Sequence, residues 1–398
     1  MTRSNVRALR QGRARIRPRL ETLEDRTAPA VFTVTNTADS GKGSLRSAVL
    51  IANANPGPDT INFDTKVFAE AQTVELTGGS ITITDPVAIQ GPAAGLTLDA
   101  DYLSGHFILS MTHALDPVSM SGLTLTRGGD VYDTSLDNQN ASLTLSRMVI
   151  TNSTNGGISV GVAGFDPWGP PVIYSATLSL TDSTVSDNSG CGVTIADGSD
   201  ADIRHSIISG NSGEYGGGIR VGPVFFVNGY PIGSASLTLT ECTVIDNTAY
   251  SGGGIWVGGG ATVIRSTITG NLATSSGGGI SVSDGGATVI GSTITGNLAG
   301  FEGGGGIDIW NGTLAIAAST ISGNAADVGG GINIFGYSGF YENVPASLTM
   351  EESTVSRNKS TSAGGGVSMS NVVAVIRNCT ISGNFASAGA AAVGGGLA

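Results

Sequence analysis

The sequence predicts an all-β protein, a parallel β-helix in which a short unit repeats and each copy adds a coil to one continuous core. Two near-identical copies stand between residues 255 and 298, where STITGN follows a run of alternating apolar residues each time. Glycine triplets separate the copies. A unit this short cannot bury its own apolar face, so the copies must stack to form a solenoid.

An asparagine ends each copy and sets the period of the repeat. Eight such residues are found at spacings of 23 to 36 residues: Asn188, Asn211, Asn247, Asn271, Asn297, Asn324, Asn358 and Asn384. The third residue before each is Val or Ile, the fifth is Ser or Cys, and the eighth is a large apolar residue. Alternation turns the third and fifth positions inward together, whereas the odd spacing to the eighth requires a bend. Stacked asparagines are expected to form a hydrogen-bonded ladder at a corner.

Composition and charge exclude several classes of protein. The chain of 398 residues has 62 Gly and 13 Pro without a Gly-X-Y period, which excludes collagen. Residues 1–30 hold eight of the 19 basic residues and three of the 31 acids, which leaves 11 against 28, or −17, for the remainder. Such an acidic body is a poor partner for nucleic acid. No apolar run is long enough to span a membrane, and the three cysteines are interpreted as small buried residues.

Residues 1–30 form a basic N-terminal segment that we expect to be disordered. The segment lacks the apolar core of a secretory signal. Its stretch RPRLETLEDRTAPA resembles the LE-x-LE-x-R segment at the start of many planctomycete surface and exported proteins. The resemblance implies export to the cell surface or the extracellular space.

Residues 31–72 are predicted to cap the open N-terminal end of the solenoid. Val31–Val34 alternates like a strand, and Ser44 is a plausible N-cap. A short helix is expected to follow, with an apolar side formed by Leu45, Ala48, Val49 and Ala52.

The stretch GSLRSAVLIANANPGPDTINFD within this cap resembles the CSLREA-type segment that precedes right-handed parallel β-helices in bacterial surface proteins. The shared positions are Ser44, Leu45, Arg46, Ala48, Ala52, Asn53, Asp59, Thr60, Ile61 and Phe63. Gly43 stands where that family has Cys, and Ser47 where it has Glu. The resemblance therefore implies a cap in front of a right-handed β-helix, without thiol or carboxylate chemistry.

Residues 73–398 are predicted to form the β-helix, with irregular coils first and regular coils from about residue 143. The GGGI turns and STITGN strands also resemble the repeats of polymorphic outer-membrane-type proteins and of pectate-lyase-like β-helices. This resemblance implies a fold and leaves the function open, since the same coil serves lyases, hydrolases, adhesins and stalks. His106 and His113, in the irregular coils, are interpreted as surface residues.

Three coils carry a long insert, at residues 163–176, 222–235 and 335–346, and all three inserts fall at the same corner. They hold ten of the 22 aromatic residues and are the candidate ligand-binding site: Phe165, Trp168, Tyr174, Phe225, Phe226, Tyr230, Phe335, Tyr337, Phe340 and Tyr341. The rings are interpreted either as anchors that pack each loop onto the coil or as a face that stacks on sugars. A site for a protein partner is a third interpretation.

The position six residues before each asparagine is expected to face solvent at the bend. The candidate catalytic residues, if the protein is an enzyme, occupy it on four successive coils: Asp182, His205, Glu241 and Arg265. The two carboxylates would be two coils apart, roughly 9.6 Å, near the upper limit for an inverting glycosidase. His205 would lie between them as a proton carrier. The alternative interpretation is a solvated column of alternating charges.

Asp197, Asp200 and Asp202 form the candidate metal site, because clustered carboxylates in a turn can hold Ca²⁺. A solvated turn is the other interpretation, and no cofactor is expected to be required. The sequence has no GxSxG, HExxH, P-loop or paired CxxC motif. It also lacks the Asp-Asp, His-Gly and Arg-x-Lys signatures of β-helix pectin hydrolases.

The sequence thus predicts an extracellular or cell-surface β-helix that binds a polysaccharide or another surface component through its aromatic loops, without catalysis. A polysaccharide lyase or glycoside hydrolase acting on acidic polysaccharide is the alternative, and a purely structural stalk is the second alternative. The doubled unit at residues 255–298 carries no insert and is interpreted as the plain coil. No polar cap follows the last coil, which predicts a partner or further sequence at that end.

Overall fold

The chain winds into a single-stranded, right-handed parallel β-helix, as the sequence predicts. The computed structural model describes residues 29–129, 134, 136–164, 172–222, 226–227, 230–231, 234–338, 343–387 and 396. Each regular coil gives one strand to each of three parallel sheets that run along the axis, and the chain visits the first, second and third sheet in that order.

The bounds of the strands follow the order of the coils. In the described part of the chain the first sheet has 13 strands: Val31–Val34, Asp59–Phe63, Val87–Gln90, Pro117–Ser121, Ser142–Ser146, Thr177–Thr181, Asp200–Arg204, Ser236–Thr240, Gly260–Ile264, Gly286–Ile290, Thr313–Ala317, Ala346–Glu351 and Val372–Arg377. The second has 12 over the same residues: Gln72–Glu75, Leu96–Asp99, Leu123–Thr126, Val149–Thr151, Thr184–Ser186, Ile207–Ser209, Thr243–Ile245, Thr267–Thr269, Thr293–Thr295, Thr320–Ser322, Thr354–Ser356 and Thr380–Ser382. The third, counted likewise, has 11: Ile81–Ile83, Phe107–Leu109, Leu136–Asn138, Ile158–Val160, Val193–Ile195, Ile219–Val221, Ile255–Val257, Ile280–Ser283, Ile307–Trp310, Ile332–Phe335 and Val367–Ser370.

Shorter strands lie at two corners of the coil. Between the second and third sheets, the corner strands pair in parallel as Thr248–Ser251 with Leu272–Ser276, and as Ala325–Val328, Lys359–Ala363 and Phe385–Ala386. Between the third and first sheets, the three predicted inserts form antiparallel hairpins: Val162–Gly164 with Val172–Tyr174, Phe226–Val227 with Tyr230–Pro231, and Tyr337–Ser338 with Asn343–Val344. The expectation that the inserts share one corner is therefore confirmed.

The core follows the three columns that the sequence pattern indicates. On the coil that ends at Asn297, the third, fifth and eighth residues back are Ile294, Ser292 and Val289, and all are buried. The bend between the fifth and eighth positions is made by one residue in the left-handed region, here Gly291 with φ +58°. This residue turns the chain from the first sheet into the second.

The asparagine ladder is present and continuous from Asn188 to Asn384. Asn297 illustrates the contacts: its backbone N–H and its Nδ2 both donate to Oδ1 of Asn324, at 2.9 and 3.0 Å. The same Nδ2 also donates to the carbonyl of Ile268 at 3.0 Å. Each buried asparagine side chain thus supplies hydrogen-bond partners to the corner backbone of the neighbouring coil.

A serine ladder, which the sequence analysis does not predict, runs along the fifth position. The backbone N–H of Ser266 donates to Oγ of Ser292 at 3.1 Å, and that of Ser292 donates to Oγ of Ser319 at 3.1 Å. The Oγ of Ser292 in turn donates to the carbonyl of Ile290 at 2.9 Å. The fifth position takes a small residue whose side-chain hydroxyl completes the hydrogen bonds of the bend.

One helix, Leu45–Asn53, precedes the coils in the described part of the chain. The side chain of Ser44 accepts a hydrogen bond from the backbone N–H of Ser47, and the predicted apolar side of the helix is buried. Arg46 ties the helix to the coils, since it pairs with Asp39 at 2.7 Å and donates to the carbonyl of Ser80 at 3.1 Å. The apolar end of the solenoid is covered by this helix.

Two interpretations of individual residues are wrong. His106 is fully buried rather than exposed, and its Nε2 lies 2.9 Å from the carbonyl oxygen of Leu98. Cys242 is buried as expected, but Cys191 and Cys379 are partly exposed.

Candidate functional site

The aromatic residues of the inserts are described only in part. Tyr174, Phe226 and Tyr230 lie in the hairpin strands. Five others lie outside the described residues: Phe165, Trp168, Phe225, Phe340 and Tyr341. Tyr337 is half-exposed, and the ring of Phe335 lies 5.0 Å from that of Trp310, centroid to centroid. One predicted ring therefore contacts an aromatic residue that the sequence analysis did not select.

The predicted catalytic column forms a chain of ion pairs on an exposed corner. Asp182, His205, Glu241 and Arg265 all have left-handed φ angles, between 45° and 55°. His205 Nε2 lies 2.9 Å from Glu241, and Arg265 Nε lies 2.8 Å from the same carboxylate. The hydrogen bond from Arg265, followed by that from His205, lowers the pKa of Glu241. The column has the contacts of a solvated charge ladder, and its catalytic role stays a prediction.

The three aspartates of the candidate calcium site are not gathered around one point. Asp200 accepts a hydrogen bond from Ser236, and Asp202 pairs with Arg204 at 2.7 Å. Asp197 is buried. Within the part of the chain that the structure describes, no group of three or more His, Cys, Asp or Glu residues could hold a metal ion. Calcium binding stays a prediction.

A groove on the outer surface of the third sheet brings together residues that the sequence analysis passed over. Inward and outward positions alternate along each strand, so Trp256 points outward between the buried Ile255 and Val257. Register places the outward positions of successive coils in one column: Arg220, Trp256, Ser281, Asp308, Asn333 and Ser368. From Trp256 to Ser368 this outward column runs roughly 19 Å along the axis.

The corner strands form the other wall of the groove. Tyr250, Ser251 and Ser276 from these strands face Ser281 and Asp308 from the third sheet across an open cavity of about 490 Å³. Its buried hydroxyls are connected, because Ser251 Oγ lies 2.9 Å from that of Ser276 and donates to Ser281 Oγ at 3.0 Å. The floor of the groove thus presents small hydroxyl groups.

Aromatic rings line the groove in two clusters two coils apart. At one end, Tyr215 lies 5.7 Å from Trp256 and 6.2 Å from Tyr250, measured between ring centroids. At the other end, Trp310 lies against Phe335 and is half-exposed. Exposed apolar residues that cluster in this way mark binding surfaces, whereas single exposed rings do not.

Asp308 lies in the outward column between the two aromatic clusters. Burial raises the pKa of Asp308 to about 7, and the nearby charge of Glu302 acts in the same direction. Hydrogen bonds from Asn333 and Ser276 oppose this rise without cancelling it. Glu302 also lines the groove and accepts a hydrogen bond from Ser275 Oγ. The groove therefore holds a carboxyl group that can be protonated near neutral pH.

The sequence contained a signal for this site. The outward position of the third-sheet strand is Ser or Thr on several coils, as at Ser159, Thr194, Ser281 and Ser368, and is larger or charged on others, among them Trp256 and Asp308. Comparison of this position from copy to copy would have identified both residues. The groove lies partly on the doubled unit that was interpreted as plain.

The fold and these surfaces define a right-handed parallel β-helix with a lateral groove. A family model described as a right handed beta helix region matches residues 230–397. No curated protein sequence matches the chain. In the described residues, none of the helices has the length and apolar character needed to cross a membrane.

Several solved structures are similar to the chain. A mutant of the periplasmic alginate epimerase AlgG is 11% identical, with a TM-score of 0.51 over 81% of this chain and 77% of that one. The A-module of the mannuronan C-5 epimerase AlgE6 from Azotobacter vinelandii is 15% identical, with a TM-score of 0.48 over 89% and 94%. Pectate lyase Pel9A is 14% identical, with a TM-score of 0.43 over 88% and 80%. The similarity to AlgG concerns the fold alone.

Proposed function

We propose that the protein binds a polysaccharide in the groove along the third sheet. The observation that carries the proposal is the placement of Trp256 and Trp310 on the same open groove, two coils apart. Flat aromatic faces suit the CH faces of sugar rings. Two such faces roughly 10 Å apart along the axis suit a chain of sugars better than a single ring.

The polar groups of the groove support the same ligand. Ser251, Ser276 and Ser281 offer hydroxyls at the floor, and Asn333 offers an amide. These groups donate and accept hydrogen bonds as sugar hydroxyls do. The predicted aromatic loops adjoin the groove through Phe335, so the loop face and the groove are one extended surface in this proposal.

Export to the cell surface is part of the proposal. It is supported by the N-terminal resemblance and by the cap segment, which resembles that of bacterial surface proteins. A surface location would bring the groove into contact with extracellular or cell-wall glycans. Immunogold labelling of intact cells of the native source, with and without permeabilisation, tests this location.

The experiment that tests glycan binding is a glycan array followed by titration calorimetry. Trp256→Ala and Trp310→Ala should each weaken binding by about three- to tenfold, the equivalent of one aromatic stack. Tyr102→Ala is the matched control, because Tyr102 is a half-exposed aromatic residue of the irregular coils and does not line the groove. Binding that survives the double tryptophan variant but is lost in Trp168→Ala would assign the ligand to the loops and overturn the groove.

Hydrolysis of the bound glycan is the second candidate function, and the raised pKa of Asp308 favours it. A protonated Asp308 would give its proton to the glycosidic oxygen as the bond to the anomeric carbon breaks. Glu302 would accept a proton from the water molecule whose oxygen bonds to that carbon. A purely structural stalk would bind no glycan at all.

Release of reducing ends tests this second candidate. Release should disappear in Asp308→Asn while Trp256-dependent binding remains. Loss of turnover in Asp182→Ala and Glu241→Ala instead would assign the chemistry to the corner column. Unsaturated non-reducing ends that form together with the new reducing ends would identify a lyase.

A further inference from the structure

The charged side chains that line the groove are all acidic. Apart from tyrosines, the ionisable side chains that line it, within the described residues, are Glu302 and Asp308. Both are acids. Residues 31–398 carry a formal net charge of −17, these two acids included.

Arg220, the cation of the outward column, does not line the groove, although Tyr215 on the same coil does. Its guanidinium carbon lies 5.7 Å from the ring centroid of Tyr215 and 5.7 Å from that of Trp256. The guanidinium is therefore held by two aromatic faces and lies beside the groove's aromatic end rather than on its floor. Register places Arg220 three coils from Asp308, roughly 14 Å along the axis, so the floor around Glu302 and Asp308 keeps its acidic character.

The uncharged groups of the floor match a ligand without charge. Ser251, Ser276 and Ser281 form a connected set of hydroxyls, and Asn333 donates to Asp308. Sugar hydroxyls can replace solvent at these groups without leaving a buried charge unpaired. A carboxylate or sulfate in the same place would lie beside Glu302 and the partly ionised Asp308, where like charges repel.

We infer that the groove selects a neutral glycan and rejects glycans that carry carboxylate or sulfate groups. The inference rests on the proposed glycan site and deepens it by naming the class of ligand. It differs from the sequence-based alternative, in which an acidic polysaccharide is the substrate. The acidic floor provides affinity through hydrogen bonds from sugar hydroxyls and provides selectivity through repulsion.

The test compares hexasaccharides of equal length on the intact protein by titration calorimetry. Neutral probes are cellohexaose, laminarihexaose, mannohexaose and xylohexaose; acidic probes are hexagalacturonate, hexaguluronate and a heparin hexasaccharide. At least one neutral probe should bind about tenfold or more tightly than every acidic probe at low salt. The gap should narrow at physiological salt, since screening weakens repulsion.

Glu302→Gln isolates the charge of the groove, because the amide keeps the size of the side chain and the acceptor for Ser275. This variant should reduce the discrimination against acidic probes by several-fold. Glu352→Gln is the matched control: Glu352 is exposed at a different corner, and its loss changes the net charge equally. If Glu302→Gln and Glu352→Gln reduced the discrimination against acidic probes equally, the selectivity would not originate in the groove.

Two further outcomes separate this inference from the proposed function. An acidic probe that binds as tightly as the neutral ones, with a loss in Trp256→Ala, would overturn the selectivity and leave the glycan site standing. An absence of binding by every probe would overturn the glycan site and the selectivity together.

Discussion

Asn333 donates a 2.9 Å hydrogen bond from Nδ2 to Oδ1 of Asp308, one coil away in the outward column. The amide is the main group that favours the ionised carboxyl, but burial acts more strongly and holds the pKa near 7. The folded protein therefore binds this proton more tightly than the unfolded chain, whose Asp side chains have ordinary pKa values.

Asp308→Asn is expected to change how stability depends on pH. Because the folded-state pKa is raised, the contribution of Asp308 to the free energy of unfolding is fully present below about pH 4 and is lost as the pH rises to about 7. Asp308→Asn has no carboxyl that titrates at this position and therefore lacks this pH-dependent loss. The free energy of unfolding of the variant, relative to that of wild type, should increase from about pH 4 to about pH 7. Urea midpoints at several pH values measure the difference.

Asp284→Asn is the control for that profile, since Asp284 is exposed at a corner and Asn also tolerates its left-handed φ of 57°. This control should follow the wild-type profile. Parallel profiles for Asp308→Asn and wild type would show that the carboxyl is not buried as described.

Asn324→Ala is expected to destabilise the solenoid by about 1 to 3 kcal/mol, because it removes hydrogen-bond partners from buried groups of two neighbouring coils. The N–H and Nδ2 of Asn297 lose their acceptor, and Oδ1 of Asn358 loses one of its two donors. Denaturant unfolding measures the change. Asn62→Ala, at a partly buried strand position outside the ladder, should have a much smaller effect, and equal effects would contradict the ladder.

Gly278→Ala should be destabilising by about 1 to 3 kcal/mol through overpacking. A Cβ at this position would lie 2.5 Å from the carbonyl oxygen of Leu298 and 2.6 Å from that of Gly305, and neither backbone atom can move freely. Gly260→Ala is a control of identical chemistry, because a Cβ there meets nothing within 4 Å. Thermal melts of the two variants should separate clearly, with Gly260→Ala at or above wild type.

Glu241→Gln should leave both the unfolding midpoint and glycan binding nearly unchanged. The ion pairs of Glu241 with His205 and Arg265 lie on an exposed corner, where water and salt screen them. Calorimetric titration of the best neutral probe provides the measurement. A marked loss of binding would place the corner column in the ligand site after all.

The coil could be predicted from the sequence because the residues that determine it are close together in the chain and recur in every copy. Residues such as Ile294, Ser292 and Asn297 recur at fixed distances, and parallel stacking turns a recurrence in sequence into a column in space. Ser44 and the apolar spacing behind it predicted the helix for the same reason. The hydroxyl of Ser292, in contrast, acts on the backbone of the neighbouring coil, so its role required three-dimensional register.

The groove was not predictable by the same route because it depends on differences between copies. Trp256 and Asp308 are 52 residues apart in sequence and become near neighbours only once two coils of unequal length are stacked. Aromatic residues are concentrated in the inserts, so their count along the sequence favoured the loops over the groove. The pKa of Asp308 arises from enclosure by the corner strands, and no composition or spacing encodes that enclosure.

The hairpin corner has a practical consequence for protein engineering. The first-sheet strand that follows each insert keeps its pairing, as Leu143 with Leu178, Ala201 with Leu237 and Leu314 with Leu348 show. The short corner at Gly258 and Gly259 is the equivalent position on a coil without an insert. A peptide epitope with closely spaced ends, grafted there and on the next coil, would be displayed as a regular array with a pitch set by the rod, roughly 4.8 Å per coil.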